Sequence, residues 1–226
     1  MPNSIEPKSF YQLRTEKKKS ATRSYEARGK LLKRCPVCAL SEKHCVCEFI
    51  QPSNCDIDFV IIMHNDEIYK PTNTGKLIGD LFPKNSHFFC YDRTQPEPEL
   101  LRLINDPNRQ CIILFPADED SEREIMTQLP VSSNKTITLI VLDATWRQSR
   151  RMFNSAKWLQ NIPAVRLRPA ETAAYLTRKT NHADYLSTAE SVALCLQLSN
   201  LVDPAKKLLS LFHQFNTNYH MMKRNR

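Results

Sequence analysis

Residues 136–148 read TITLIVLDATWRQ, and this stretch decides how the chain folds. Its first seven residues are apolar or β-branched, as expected of a strand that is buried on both faces of a sheet. Asp143 and Ala144 follow the strand. Thr145 and Gln148 then have the spacing of a capping box, which closes the first turn of a helix. The stretch therefore predicts a strand that leads directly into a helix.

The same alternation of strand and helix patterns continues on both sides of this stretch. Further strands are predicted at residues 56–64, 87–91, 110–115 and 164–168, and helices at 73–82, 97–104, 119–128, 145–159, 187–200 and 204–220. Strands that alternate with helices favour an α/β fold, with a mainly parallel sheet flanked by helices. We divide the chain into a basic N-terminal extension (1–34), a cysteine cluster (35–50) and an α/β domain (51–226).

Glycine is rare, and its positions exclude two common nucleotide-binding motifs. The 226 residues include three glycines, Gly29, Gly75 and Gly79. No two of them form a G-x-G pair, and none precedes Lys-Ser or Lys-Thr. The dinucleotide fingerprint and the phosphate-binding loop both need glycine at these positions. A nucleotide-like ligand must therefore be held by other means.

Positive charge is concentrated in two separate regions. The formal net charge is +8, and residues 1–34 carry ten Lys or Arg against three Glu. Residues 143–179 carry eight basic and two acidic side chains. Two separated basic surfaces favour binding to a polyanion such as nucleic acid. A solvated basic tail combined with ordinary surface charge is the alternative.

Hydropathy and cysteine content indicate the compartment. No apolar run approaches the roughly 18 residues that a membrane-spanning helix needs, and the Lys-rich N-terminus lacks the apolar stretch of a secretory signal. We therefore expect a soluble, cytoplasmic protein with no membrane partner. Disulfides are rare in the cytoplasm, so the eight cysteines must have another role.

Four of these cysteines form a cluster with metal-ligand spacing. Cys35, Cys38, Cys45 and Cys47 lie within thirteen residues. Four thiolates are the usual ligands of a closed, tetrahedral zinc site, which has a structural role because no position stays open for water. The Cys-x-Cys pair is tighter than usual, and His44 is an alternative ligand. An iron–sulfur cluster and four free thiols are the alternatives to zinc.

Polar residues follow three of the predicted strands, at 64–67 (HNDE), 115–118 (FPAD) and 143–146 (DATW). Ligands of open α/β sheets usually bind beyond the carboxyl ends of the strands, so one crevice can collect all three segments. Asp143 has two possible roles there. It is either a catalytic carboxylate beside a basic helix or a charge that favours the helix dipole.

Two other predicted helices also start with polar residues. Thr72 or Asn73 can cap the helix at 73–82, and Gly75 in its first turn lets a ligand come near the backbone. Ser187 and Glu190 repeat the capping-box spacing before the helix at 187–200. Capping alone accounts for these residues, and so does binding to a carboxylate or hydroxyl group of a ligand.

In this order, the motifs resemble the DTW-domain family, the tRNA-uridine aminocarboxypropyltransferases. The Asp-x-Thr-Trp motif appears as Asp143-Ala144-Thr145-Trp146. The resemblance runs from Cys35 to Cys195 and covers the cysteine cluster, His64, Glu67, and residues 73–75, 114–116, 175–179 and 186–190. One departure is Asn65, where similar sequences often have proline.

The resemblance implies a fold related to the SPOUT RNA-modifying enzymes, whose parallel sheet can contain a knot. It implies S-adenosyl-L-methionine as donor and tRNA as partner. The 3-amino-3-carboxypropyl group would pass to N3 of a uridine, giving acp3U and methylthioadenosine. A SPOUT-type RNA methyltransferase with the same donor and a non-catalytic zinc-containing RNA-binding protein are the alternatives. Monomer and homodimer both remain open.

The resemblance also suggests roles for individual residues. We expect Asp143 to act as a general base or to orient the site, with Thr145 and Trp146 shaping the pocket. The expected donor-binding residues are Asn73, Thr74, Gly75, Phe115, Pro116, Leu142, Ser187, Thr188 and Glu190. The expected RNA-binding residues are Arg147, Arg150, Arg151, Tyr175, Arg178 and Lys179.

Overall fold

The structure, a computed structural model, describes residues 6–20, 32–116, 123–130, 134–167 and 186–224. Its sheet consists of β1 (Asp58–Met63), β2 (Ser86–Cys90), β3 (Arg109–Leu114), β4 (Ile125–Met126), β5 (Thr136–Asp143) and β6 (Ala164–Val165). The strand order is β2-β1-β5-β3-β6-β4, and every neighbouring pair is parallel. The predicted α/β class with a mainly parallel sheet is confirmed. The knot and the relationship to SPOUT enzymes stay predictions.

Helices cover both faces of this sheet. In the described ranges they are α1 (Phe10–Ser20), α2 (Lys76–Leu81), α3 (Pro98–Ile104), α4 (Trp146–Ser155), α5 (Thr188–Leu198) and α6 (Val202–Arg224). Buried side chains of α1, α2, α5 and α6 belong to the core on one face, and those of α3 and α4 to the core on the other. None of these helices is long and apolar enough to cross a membrane.

The strands alternate their side chains between the two cores. We call the face with α1, α2, α5 and α6 the α5 side, and the face with α3 and α4 the α4 side. In β1, the side chains of Phe59, Ile61 and Met63 belong to the core on the α5 side, whereas those of Val60 and Ile62 belong to the core on the α4 side. All five side chains are fully buried. Both faces of the strand need apolar residues, which explains its continuous apolar sequence.

The parallel register brings the carboxyl ends of the strands to one edge of the sheet. Met63 pairs with both Asp143 and Cys90. On the other side of β5, Leu114 pairs with Val141. The segments that follow β1, β3 and β5 therefore leave the sheet at the same edge, as the sequence predicts.

The predicted helix at 119–128 is wrong at its C-terminal end, where Ile125 and Met126 form β4. These two residues pair with Ala164 and Val165 of β6 at the edge of the sheet. Pairing with a neighbouring strand outweighs a weak local helical pattern. Residues 117–122 lie outside the described residues. The strand predicted at 164–168 is shorter than expected, because β6 ends at Val165 and residue 168 lies outside the described residues.

Helix α1 is part of the folded domain, although its charge suggested a solvated extension. Phe10 and Leu13 are buried, and the Phe10 ring packs edge-to-face on the Phe88 ring, with 5.9 Å between the ring centres. The backbone N–H of Phe88 donates to the carbonyl of Lys8 at 2.8 Å. Residues 8–13 therefore pack against β2, the outermost strand on this side of the sheet. The division of the chain at residue 34 stays a prediction.

Replacing Phe10 by alanine tests this packing. We expect Phe10→Ala to lower the free energy of unfolding by about 3 kcal/mol, because the substitution leaves a cavity in the core. Lys18→Ala, on the exposed side of the same helix, should change it by less than about 0.5 kcal/mol. Urea denaturation measures both values, and equal values would show that α1 does not stabilise the fold.

Candidate functional site

Asp143, the last residue of β5, is the centre of a hydrogen-bonded cluster at this edge of the sheet. Its side chain is 3% exposed. The Asn73 Nδ2 donates to Asp143 Oδ2 at 2.5 Å, and the Thr188 hydroxyl donates to Asp143 Oδ1 at 2.7 Å. Asn73 precedes α2, and Thr188 begins α5. One buried carboxylate thus joins the ends of a strand and two helices.

The two helix starts also contact each other. Asn73 Oδ1 accepts from the backbone N–H of Lys76 at 3.0 Å, so Asn73 satisfies a free N–H in the first turn of α2, whose N-cap residue is Gly75. The backbone N–H of Ala189 donates to Thr74 Oγ1 at 3.4 Å. The capping box at the start of α5 is confirmed; it is formed by Ser187 and Glu190. Six of the nine expected donor-binding residues therefore lie at these two helix starts.

Gly75 packs directly against the Asp143 carboxyl group. A Cβ atom added at Gly75 would lie 2.7 Å from both Cγ and Oδ2 of Asp143. The sequence suggested that this glycine lets a ligand approach the backbone. In the structure, the missing side chain makes room for Asp143.

Burial raises the pKa of Asp143 to about 6. The hydrogen bonds from Thr188 and Asn73 favour the charged form and lower this pKa, whereas the nearby Glu67 raises it. Burial is the larger effect on the pKa, because the loss of hydration destabilises the carboxylate by more than the two hydrogen bonds stabilise it.

The start of α4 lies on the other side of the sheet edge. Thr145 and Gln148 form the predicted capping box. The Gln148 Nε2 donates to His64 Nδ1 at 3.2 Å and to Asp66 Oδ2 at 3.0 Å, which links α4 to the segment after β1. Trp146, next to Thr145, is 43% exposed. Motif residues 145 and 146 therefore face solvent while Asp143 is enclosed.

Two of the three remaining expected donor-binding residues belong to the α4 side. Phe115 and Leu142 are buried in the α4-side core, whereas Asp143 joins α2 and α5 on the other face. The Phe115 ring stacks on the Phe153 ring at 4.1 Å. Pro116 is exposed. The structure thus places six of the nine expected residues at the starts of α2 and α5 and two on the opposite face of the sheet.

The expected RNA-binding residues are described in part. Arg147, Arg150 and Arg151 are exposed on α4, within about one and a half turns of Trp146. Tyr175, Arg178 and Lys179 lie outside the described residues.

The four clustered cysteines can hold a metal ion. The Sγ atoms of Cys35, Cys38, Cys45 and Cys47 all lie within 4.8 Å of one another. The Cys35–Cys47 pair is separated by 3.6 Å and the Cys38–Cys45 pair by 3.8 Å. A tetrahedron with Zn–S bonds of about 2.3 Å has edges of roughly 3.8 Å, so the donor set fits zinc. His44, the alternative ligand, shares a hydrogen bond with Ser41.

The sequence of the chain matches a known protein family. The profile of the DTW domain family matches residues 32–220, which is most of the chain. The chain belongs to the DTW domain family. The resemblance inferred from the Asp143–Trp146 motif is thereby confirmed.

Curated relatives of this DTW domain carry the name tRNA-uridine aminocarboxypropyltransferase 2. The proteins from Macaca fascicularis and Mus musculus are each 25% identical over 170 residues, which cover 73% of this chain and 55% of the relative. The Drosophila melanogaster protein is 28% identical over 98 residues, covering 43% of this chain and 37% of the relative. The chain spans about half the length of the curated relatives it matches. No solved structure matches it.

Sequence reasoning missed Lys76, which connects the cysteine cluster to α2 of the DTW domain. Lys76 is 1% exposed, and its Nζ donates to the carbonyl of Cys38 at 2.5 Å. The ammonium also lies 4.9 Å from the centre of the Phe215 ring. Burial lowers the pKa of Lys76 to about 8, and Asp80 opposes this effect. Lys76 is the first residue of α2, and no local pattern in the sequence indicates that a lysine is buried there.

The raised pKa of Asp143 predicts how stability depends on pH. The carboxyl group titrates near pH 6 in the folded chain and near 3.8 in the unfolded chain. Protons are therefore bound more tightly in the folded state, and the stability of the native protein falls as the pH rises through this range. Relative to Asp143→Asn, the native protein should lose roughly 1 kcal/mol between pH 5 and pH 7. Chemical denaturation at each pH measures the difference, and a constant difference contradicts the prediction.

Metal analysis tests the cysteine cluster. We expect about one zinc ion per chain. Cys35→Ser should release it and destabilise the fold, because metal binding and folding are coupled. The control is Cys55→Ser, at a buried cysteine outside the cluster, which should keep the zinc. Equal zinc content in both variants would exclude a four-cysteine site.

Proposed function

We propose that this DTW-domain protein transfers the 3-amino-3-carboxypropyl group of S-adenosyl-L-methionine to N3 of a uridine in tRNA. The observation that carries the proposal is the buried Asp143 of the family motif, which joins Asn73 and Thr188 at the shared strand end. The names of the relatives support a tRNA uridine as acceptor and aminocarboxypropyl as the transferred group.

The reaction needs alignment more than it needs strong acid or base. The N3 atom of uracil attacks the propyl carbon bound to sulfur, forming the C–N bond. The C–S bond breaks, its electrons stay on sulfur, and neutral methylthioadenosine leaves. The N3 proton is lost, and water at the exposed edge of the site accepts it. Since the sulfonium is already a good leaving group, holding N3, carbon and sulfur in line supplies much of the rate.

Asp143 serves in this proposal as a positioning residue. Each of its oxygens already accepts a hydrogen bond, and Gly75 covers the carboxyl group. A general base must come within hydrogen-bond reach of the proton it removes, and a side chain that is 3% exposed is poorly placed for this. Asp143 instead fixes the starts of α2 and α5 relative to β5. These two helix starts then form one wall of the donor site.

The donor site extends across the edge of the sheet. Asn73, Thr74, Gly75, Ser187, Thr188 and Glu190 support it on the α5 side, and Phe115, Pro116 and Leu142 support it on the α4 side. Ordered side chains on both sides hold S-adenosylmethionine so that its propyl carbon, rather than its methyl group, faces the base.

Exposed residues of α4 are suited to the RNA. Bases in single-stranded loops are splayed out and stack on aromatic side chains. Trp146, 43% exposed beside the site, offers such a surface for the target uridine. Arg147, Arg150 and Arg151 follow it and would bind neighbouring phosphates. We assign the same role to Tyr175, Arg178 and Lys179 from the sequence alone.

The proposed metal is structural zinc at the four cysteines, which would bind it as thiolates. We place the reaction in the cytoplasm, where tRNA is available and thiols stay reduced.

Product analysis tests the proposed activity. Incubation of the protein with unmodified tRNA and S-adenosylmethionine should release methylthioadenosine and add the aminocarboxypropyl mass to a uridine, as measured by nucleoside mass spectrometry. Release of S-adenosylhomocysteine with methylated RNA would instead identify a methyltransferase. Binding of tRNA without either product would identify a non-catalytic RNA-binding protein.

Two variants test whether product formation depends on the hydrogen bonds around Asp143. Asp143→Asn should lower kcat by at least about 100-fold while tRNA binding is kept, because misplaced reactants cost this much. Asp203→Asn, at an exposed acidic residue of α6, should have native activity. Full activity of Asp143→Asn would contradict the proposal.

A further inference from the structure

His64 occupies the strand end next to Asp143, and the mechanism above does not use it. Its backbone N–H donates to the carbonyl of Asp143 at 3.0 Å. Its side chain is 28% exposed. His64 is therefore fixed to the motif through the backbone while its imidazole ring is accessible.

Two donors determine which ring nitrogen of His64 carries the proton. The backbone N–H of Asp66 and the Gln148 Nε2 both donate to His64 Nδ1, each at 3.2 Å. The orientation of the Gln148 amide is fixed, because its Oε1 accepts from the backbone N–H of Thr145 at 3.1 Å and from the Thr145 hydroxyl at 2.7 Å. A nitrogen that accepts hydrogen bonds carries no hydrogen. In the neutral ring, the proton is therefore on Nε2.

The Nε2–H group of His64 is available to a ligand. Among the described residues, no side chain or carbonyl accepts from it, and it is not among the buried polar atoms that lack a partner. His87 provides a contrast at the opposite end of the sheet. That ring is 2% exposed, and burial lowers its pKa to about 4. His64 is thus an oriented and reachable donor, whereas His87 is enclosed.

We propose that His64 donates its Nε2–H to a carbonyl oxygen of the target uracil. The inference rests on the proposed function and adds a residue that contacts the acceptor base. When N3 loses its proton, negative charge spreads to the two carbonyl oxygens beside it. A donor that is already oriented stabilises this charge without reorganisation.

The surroundings of His64 favour uracil over the carboxylate of S-adenosylmethionine. Asp66 Oδ2 lies 3.4 Å from His64 Nδ1, so a second carboxylate at the ring would meet a like charge. The uracil carbonyl is neutral when the base binds, and the deprotonated base spreads its one charge over N3 and two oxygens, so it meets less of this repulsion than a carboxylate does. Gln148 connects His64 to the first turn of α4, two residues after Trp146, where the base is proposed to stack.

Two substitutions separate the two nitrogens of the ring. The side-chain amide of glutamine reaches the position of Nε2, and that of asparagine reaches only the position of Nδ1. We expect His64→Gln to keep kcat within about tenfold of the native value. His64→Asn should keep the contacts to Asp66 and Gln148 but lose about 100-fold in kcat, the usual cost of removing one such donor. Both variants should melt within a few degrees of the native protein.

Each other outcome overturns the inference in a distinct way. Equal kcat values for the two variants would show that the ring only supports the loop after β1. If His64→Asn raises the KM for S-adenosylmethionine and leaves kcat unchanged, then Nε2 binds the carboxylate of S-adenosylmethionine and not the uracil. If the native protein forms no methylthioadenosine, the proposed function fails and this inference fails with it. If the native protein is active and only the His64 pattern is absent, the proposed function stands.

Discussion

The enclosed carboxylate of Asp143 organises the edge of the sheet at which the strands end. Asp143 ends the central strand β5, and its charge is separated from water by the starts of α2 and α5. Two side-chain donors and the absence of a Cβ atom at Gly75 make this burial tolerable. The raised pKa shows that the compensation is incomplete. Functional sites often trade stability for fixed geometry, and under the proposed function a variant without this charge would be more stable but less active.

The two faces of the sheet contribute differently to the site. On the α5 side, hydrogen bonds to Asp143 fix the starts of two helices, and the residues involved are buried or half-buried. On the α4 side, Trp146 and the arginines that follow it are exposed. His64 and Gln148 connect this side to the strand ends. One face therefore suits the small donor that we propose, held in a fixed position, and the other suits the proposed RNA acceptor, which is large and charged and must bind and leave.

Much of the fold follows from local patterns, but the site depends on contacts that the sequence does not show. The buried strands are predictable because both of their faces need apolar residues, and the capping boxes at Thr145 and Ser187 are predictable because their spacing is local. The bond between Asn73 and Asp143 spans 70 residues, and no pattern in one sequence pairs them. The packing of α1 was not predicted for another reason. The helix has several lysines and only two apolar residues that are buried in the core, so its composition resembles that of a solvated segment.

The long separation between Asp143 and its partners has a consequence for synthesis on the ribosome. Thr188 follows Asp143 by 45 residues, and the helix that it begins forms part of the wall around the carboxylate. While the nascent chain still ends before Thr188, α5 is missing and the carboxyl group of Asp143 remains exposed to water. The functional edge therefore closes only after translation has passed α5, and a chain truncated before that point would retain most of its strands but no assembled site.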